Sequence, residues 1–485
     1  MTFMGDKDSH DSDGPRLRWP LCLSVALVIS AMVLQTAFGQ ARTPAGGGGR
    51  AGAAGRGGAA RPGGAAAGAG VMPGGMGPAM GPGMGPAMGP GMMPGGPLGG
   101  ALAPDSKPEE ADPDAVTPGP DPKFEPKSKL TSAEIRAFKK LEGKVKAAQR
   151  SGKFETPEDR AAFDKYYTDY YLVRWTWYDE LVNLHKYRAE LRGPFKMAKS
   201  GEVFDELNHI VLSFMEKLVQ GEYYPATRVN AMLAIGELNS VEQAGVQPPV
   251  PLPDALKSLI GFVNNEKLPD PLRAAAMVGI MRHAALGVAS PDDRTLVATA
   301  MLRIAAADVG TGKAAPGRQW ILGQALRTLG LLKSSGEGNA VGKALFVVVP
   351  NAKLSLCTRS IAADAIGQLA FSDATGIDLA VTSAGLAQLA SDACIEEIRL
   401  LKADSVEIQR GRIKQRLDAV LAALRKMIDL AKDQSQQGLI AELASNIKGV
   451  SDTLDDPRMR DKDKEVKAAV EELPKKIDAL LKKPK

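Results

Sequence analysis

The sequence predicts an all-α chain built of stacked two-helix units, placed behind a long segment unable to fold. Three observations carry this. Arg228, Arg273 and Arg318 stand 45 residues apart, each just after a proline and each opening an apolar helix. A further apolar helix precedes every one of them. Residues 43–104, by contrast, are almost wholly Gly, Ala, Pro, Met and Arg.

The chain opens on an export pattern. Arg16 and Arg18 precede an apolar run from Leu21 to Leu34, and Ala37-Phe38-Gly39 follows. Basic, apolar, small is the order of a secretory signal peptide, and the run is shorter than the ~20 residues a membrane span needs. Cleavage is expected after Gly39, which assigns residues 1–39 to the signal. The alternative is an uncleaved anchor over Pro20 to Phe38, the only membrane contact expected. Cys22 begins the apolar run instead of following it, which argues against a lipoprotein signal. The expected location is therefore periplasmic, envelope-associated or secreted. Cys357 and Cys394 remain after cleavage, and outside the cytoplasm they form a possible disulfide if their Cα atoms approach within about 7 Å. Two separate small apolar residues is the plainer alternative.

Residues 40–129 read as a disordered, low-complexity tether. Gly loses the most backbone entropy on folding and Pro removes a donor, so neither helix nor sheet is favoured. The stretch 105–129 continues it as an acidic, Pro-rich linker with Asp105, Glu109, Glu110, Asp112 and Asp114. As a flexible coil the whole tether would span roughly 50 Å. Within it Met72, Met76, Met80, Met84, Met88 and Met92 recur every fourth residue. Thioethers are soft ligands suited to Cu(I), but duplication of an eight-residue repeat produces the same spacing, and no His or Cys is interleaved.

Residues 130–202 form an N-terminal helical cap. Thr131-Ser132-Ala133-Glu134 has the form of a capping box, and Thr156-Pro157-Glu158-Asp159 is a second helix start. The helix it opens is expected to run to about Leu191, where Gly193-Pro194 stops it. It carries six of the eight tyrosines, on two adjoining apolar faces that include Tyr170 and Trp177. Such rings either stack on sugars, making these two the candidates for partner binding, or seal the end of a helical array, whose terminal units are usually atypical.

The repeats occupy residues 203–403. Pro225-Ala226-Thr227-Arg228 opens a helix continuing through Gly236; Pro271-Leu272-Arg273 and Pro316-Gly317-Arg318 open its successors, the latter reaching Gly330. A fourth unit, four residues shorter and without the proline, runs from Arg359 through Gly367. The intervening helices are expected at Val203–Gln220, Leu252–Asn265, Asp292–Ala307 and near Val341–Val349. A fixed period of 40–47 residues with two helices per unit makes an array in which each pair buries its apolar face only against neighbours.

These arginines, followed by small and aliphatic residues, resemble the second-helix pattern of HEAT repeats. The resemblance covers under half the chain and implies a right-handed α-solenoid of two-helix HEAT-like repeats. It also implies that Arg228, Arg273, Arg318 and Arg359 serve the repeat, bonding carbonyls or an acid of an adjacent unit. Beyond it, Leu379–Ala390 and Cys394–Lys402 continue the array. Residues 404–485 hold longer charged helices, Val406 to Ala431, Gly438–Val450, and one from about Asp461 that Pro474 should kink or divide. They form a C-terminal cap or arm.

Charge and motifs narrow the function. Of the net +5, residues 40–104 contribute four arginines and no acid, so residues 105–485 are nearly neutral, unlike a nucleic-acid platform. The sequence contains no zinc-protease, Cys-x-x-Cys, nucleophile-elbow or complete phosphate-loop pattern; Gly310-Thr311-Gly312-Lys313 reads as an inter-helix turn. No catalytic residue, metal site or cofactor is assigned. The expectation is an exported, non-enzymatic scaffold that binds a protein partner through its repeat surface. The alternatives are a binder of envelope glycan or soft metal (Cu), and a structural subunit of an envelope assembly.

Overall fold

The computed structural model describes residues 129–404, 408–459 and 461–482. The export signal, the tether and its Met repeat lie outside them. The described residues are almost entirely helical, with one short antiparallel strand pair.

Helix α1 (Ser132–Ser151) begins on the capping box: Thr131 Oγ1 accepts from the Glu134 amide, and Glu134 Oε2 accepts from the Thr131 amide at 2.7 Å. It ends at Gly152, whose φ of 71° is the left-handed geometry glycine tolerates best. Helix α2 (Pro157–Tyr166) starts on the Thr156 hydroxyl with Pro157 in its first turn. The single helix expected from Thr156 to about Leu191 is not made. A π-turn over Tyr167–Tyr171 and 3-10 turns over Val173–Thr176 and Tyr178–Asn183 follow, with Trp177 extended between them (φ −81°, ψ 132°). Two adjoining aromatic faces span too wide an arc for one straight helix to bury. Breaking the helix turns Tyr167, Leu172 and Trp175 inward together. Helices α3 (Leu184–Glu190) and α4 (Arg192–Ala198) complete the segment. Gly193-Pro194, expected as a stop, lies inside the first turn of α4, where a missing N–H is tolerated.

Helix pairs follow: α5 (Glu202–Gln220) with α6 (Pro225–Glu237), α7 (Pro253–Asn264) with α8 (Asp270–Leu286), α9 (Pro291–Ala306) with α10 (Ala315–Leu331), and α11 (Ala340–Val348) with α12 (Leu356–Gln368). Strands β1 (Asn239–Val241) and β2 (Val250–Pro251) form a hairpin between α6 and α7, with Asn239 opposite Pro251. Each first helix packs on its own second helix, and α6, α8, α10 and α12 pack on one another in succession. The residue seven places after each arginine, Ile235, Ile280, Ala325 or Ile366, is fully buried. Burying an isoleucine side chain, as at three of these four positions, stabilises by about 1.5–3 kcal/mol.

Glycines set how closely these helices approach. A Cβ on Gly236 would stand 2.7 Å from the Cα of Gly279, one on Gly330 2.8 Å from the Cα of Ala365, and one on Gly367 2.6 Å from the Cβ of Ala422. Gly236 and Gly330 therefore lie where one second helix crosses the next, and Gly367 where α12 meets the helix that carries Ala422.

Helix α13 (Leu379–Asp404) is continuous where two stretches were expected, because Leu389, Ala390, Ala393 and Cys394 are all fully buried across the expected break. Helices α14 (Arg410–Leu430), α15 (Gln434–Asp455) and α16 (Asp463–Leu481) follow. Pro474 does not divide α16; Val466, Val470, Leu473, Ile477 and Leu480 are buried on both sides of it and hold the helix together. Helix α14 packs on α12, while α16 packs on α13 and α15. Most of the buried apolar residues from Val145 to Leu480 form one cluster.

Candidate functional site

Three of the four spaced arginines have a local task. Arg228 Nε donates to the Val219 carbonyl at 2.9 Å, Arg273 Nε to Val263 at 3.1 Å, and Arg359 Nε to Val349 at 2.7 Å. In each case the acceptor lies at the end of the preceding helix, where carbonyls lack intrahelical partners and a cation suits the dipole. Arg359 is buried and also pairs with Asp392 of α13 at 2.8 Å. Arg318 departs from the pattern: it is exposed and has no ion pair or hydrogen bond among the described residues. Counting nine and ten residues back reaches Val309 and Asp308, both past the end of α9 at Ala306. No carbonyl of the last turn is in register.

Tyr170 stacks on Phe138 of α1, with centroids 5.3 Å apart and planes 12° from parallel, and packs against Tyr166 at 5.2 Å. Trp177 is half-buried, and its indole N–H has no acceptor. Between them Arg174 lies over Tyr171 and Tyr187, 4.5 and 4.0 Å from the ring centroids. One face of Tyr170 is thus covered by another ring. Cys357 and Cys394 are both free, so the pairing considered from sequence is not formed; Cys357 is exposed at the start of α12 and Cys394 is buried in α13. Burial pushes the Cys394 thiol up to about 12.

A cleft of about 220 Å³ lies where α3, α4, α6, α8 and the hairpin meet. Its apolar wall includes Leu191, Phe195, Leu238 and Leu286, and its polar groups are Arg188, Arg192, Lys196 and Arg282 facing Glu237 and Glu242. Arg282 is anchored by two bonds, Nη1 to the Gly236 carbonyl at 3.1 Å and Nη2 to Asn239 Oδ1 at 2.6 Å. The Asn239 amide group donates in turn to Glu242 at 2.9 Å, and the Asn239 carbonyl accepts from Asn208 at 3.0 Å. Arg188 Nε stands 3.2 Å from Glu237. Burial holds the Arg282 guanidinium below its ordinary range, since removing a charge from water favours the neutral form. Next to Arg282 on α8, His283 is buried with Nε2 unpartnered; burial and the neighbouring guanidinium lower it to about 3.

Sequence reading did not find this cleft. Arg188, Arg192 and Lys196 recur every fourth residue across α3 and α4, but nothing in the sequence joins them to Arg282 of α8. The available signal was the connection from α6 to α7, longer than those that join the other helix pairs and carrying Pro248, Pro249 and Pro251. Among the described residues no group of three His, Cys, Asp or Glu side chains is placed to hold a metal ion, and no helix is long and apolar enough to cross a membrane. No family model, curated protein or solved structure matches the chain.

Proposed function

We propose that this chain is an exported scaffold that binds a protein partner through the surface of a HEAT-like array, a right-handed α-solenoid over residues 203–403. On this reading residues 40–129 act as its tether. The observation that carries the reading is the repeated arginine bond: three of the four spaced arginines close the preceding helix through the same Nε on a valine carbonyl. A shared local task at a fixed period is what a repeat array requires, and such arrays characteristically present extended binding surfaces. The glycine crossings of α6 and α10 support the same reading, because they repeat a close approach between successive units. The glycan alternative is weakened by the covered face of Tyr170.

The test is lysine crosslinking in the intact cell envelope followed by mass spectrometry. The reading expects crosslinks from the lysines of residues 203–403 to one recurrent protein. Recurrent crosslinks confined to residues 40–129, or none to any protein, would overturn it.

A further inference from the structure

The β1–β2 hairpin carries three exposed valines, Val241, Val246 and Val250, at 53%, 89% and 42% exposure. Its residues Asn239, Glu242, Gln243 and Pro249 form one wall of the cationic cleft. An apolar rim therefore adjoins a charged pocket.

The charge in that pocket is not balanced. Glu237 is already engaged by Arg188 at 3.2 Å and Arg192 at 3.9 Å, and Glu242 accepts from the Asn239 side chain. Four cations face these two acids. Among the described residues Arg282 reaches no carboxylate; its partners are a neutral carbonyl and a neutral amide. A guanidinium has five N–H donors, and two bonds leave N–H groups of Arg282 free. Its two anchors also fix its orientation, so little side-chain entropy remains to be lost when a ligand binds.

We propose that this cleft and its hairpin rim receive an acidic peptide segment of the protein partner, with a carboxylate on Arg282 and aliphatic side chains against the exposed valines. Carboxylate geometry matches the guanidinium fork, and Arg192 and Lys196 at the mouth supply attraction at longer range. An extended peptide presents alternate side chains to either side, which suits a charged pocket beside an apolar strand pair. A small inorganic anion would leave the valine rim unused. The inference rests on the protein-partner reading above and names the chemistry of that partner.

The experiment is fluorescence anisotropy on the full chain with a fluorescein-labelled Glu-Val-Glu-Val-Glu-Val peptide and its Gln-Val counterpart. The acidic peptide should bind, and the Gln form should bind at least about tenfold more weakly, with affinity falling as salt rises. The double variant Arg192→Glu with Lys196→Glu should lose a similar factor; both side chains are exposed, so the fold is preserved. Val246→Asp at the hairpin tip should weaken binding several-fold. Equal binding of the two peptides, unchanged binding by the double variant, or no binding of the acidic peptide at about 1 mM would overturn the proposal. Binding that emerges only after Asp105, Glu109, Glu110, Asp112 and Asp114 are neutralised would also overturn it, since the chain's own acidic segment would then be the occupant. A partner still crosslinked by the double variant overturns this inference and leaves the scaffold reading standing. Peptide binding with no crosslinked partner would overturn the scaffold reading and with it the assignment of the peptide to a partner, while the acidic-peptide chemistry of the cleft would stand.

Discussion

The α5–α6 and α9–α10 pairs hold equivalent places in the period, yet their arginines live differently. Arg228 closes α5 through the Val219 carbonyl, whereas Arg318 lies exposed beyond the reach of α9. The connection explains it. Four residues separate α5 from α6, while eight separate α9 from α10, with Gly310 and Gly312 at φ of 63° and 82°. An identical residue at an identical period thus does structural work only where the preceding helix ends in register. Spacing alone does not decide whether such an arginine is used; the place where the preceding helix ends does.

Substituting the four arginines by Met, one at a time, tests that lesson, read as urea midpoints at unchanged slope. Arg359→Met should cost most, about 2 kcal/mol, because it removes a buried bond to the Val349 carbonyl and the ion pair with half-buried Asp392, which keeps its bond from Gln388. An equal loss at Arg318 would break the comparison. Glycine exchange separates the same two pairs by packing. Gly236→Ala should destabilise by about 2 kcal/mol, since its Cβ would meet the Gly279 backbone at 2.7 Å. Gly317→Ala in α10, where a Cβ meets open space, should stabilise by roughly 0.5 kcal/mol through helix propensity.

His283 in α8, between the two pairs, adds a pH test of comparable size. Its folded value, lowered to about 3, lies below the ordinary 6.5, so the unfolded chain binds the extra proton. Its contribution is therefore fully present above about pH 6.5 and is lost as pH falls toward about 3, reaching roughly 2 kcal/mol by pH 5. His283→Leu should flatten the difference in stability between pH 7 and pH 5 by that amount; an unchanged slope would show that His283 is not held neutral. Smaller effects complete the series. Arg228→Met and Arg273→Met should each cost about 1 kcal/mol for one lost charge-assisted bond, and Arg318→Met less than about 0.5 kcal/mol.

Much of the helical order was legible because it depends on local chemistry. Thr131 with Glu134, Thr156 with Pro157, and the apolar spacing of α5, α7 and α9 place helix ends within a residue or two of where they occur. The aromatic segment was not legible in the same way. Its periodicity favours one helix, and only the need to bury Tyr167, Leu172 and Trp175 on one side breaks it at Trp177. The separate stretches read at Leu379–Ala390 and Cys394–Lys402 failed as a division for the converse reason: their shared core is continuous. The candidate cleft was least legible, because Arg188 and Arg282 become neighbours only through packing of α3, α6 and α8.

By itself, then, the sequence determined the helical class, the 45-residue period and the caps, since each follows from interactions within a few residues along the chain. Tertiary structure alone decided which arginine is used, where the aromatic helix breaks, and that four cations share one cleft. Those outcomes depend on which helix ends and faces meet, and such meetings are set by the packing of distant segments, which leaves no periodic trace in the chain.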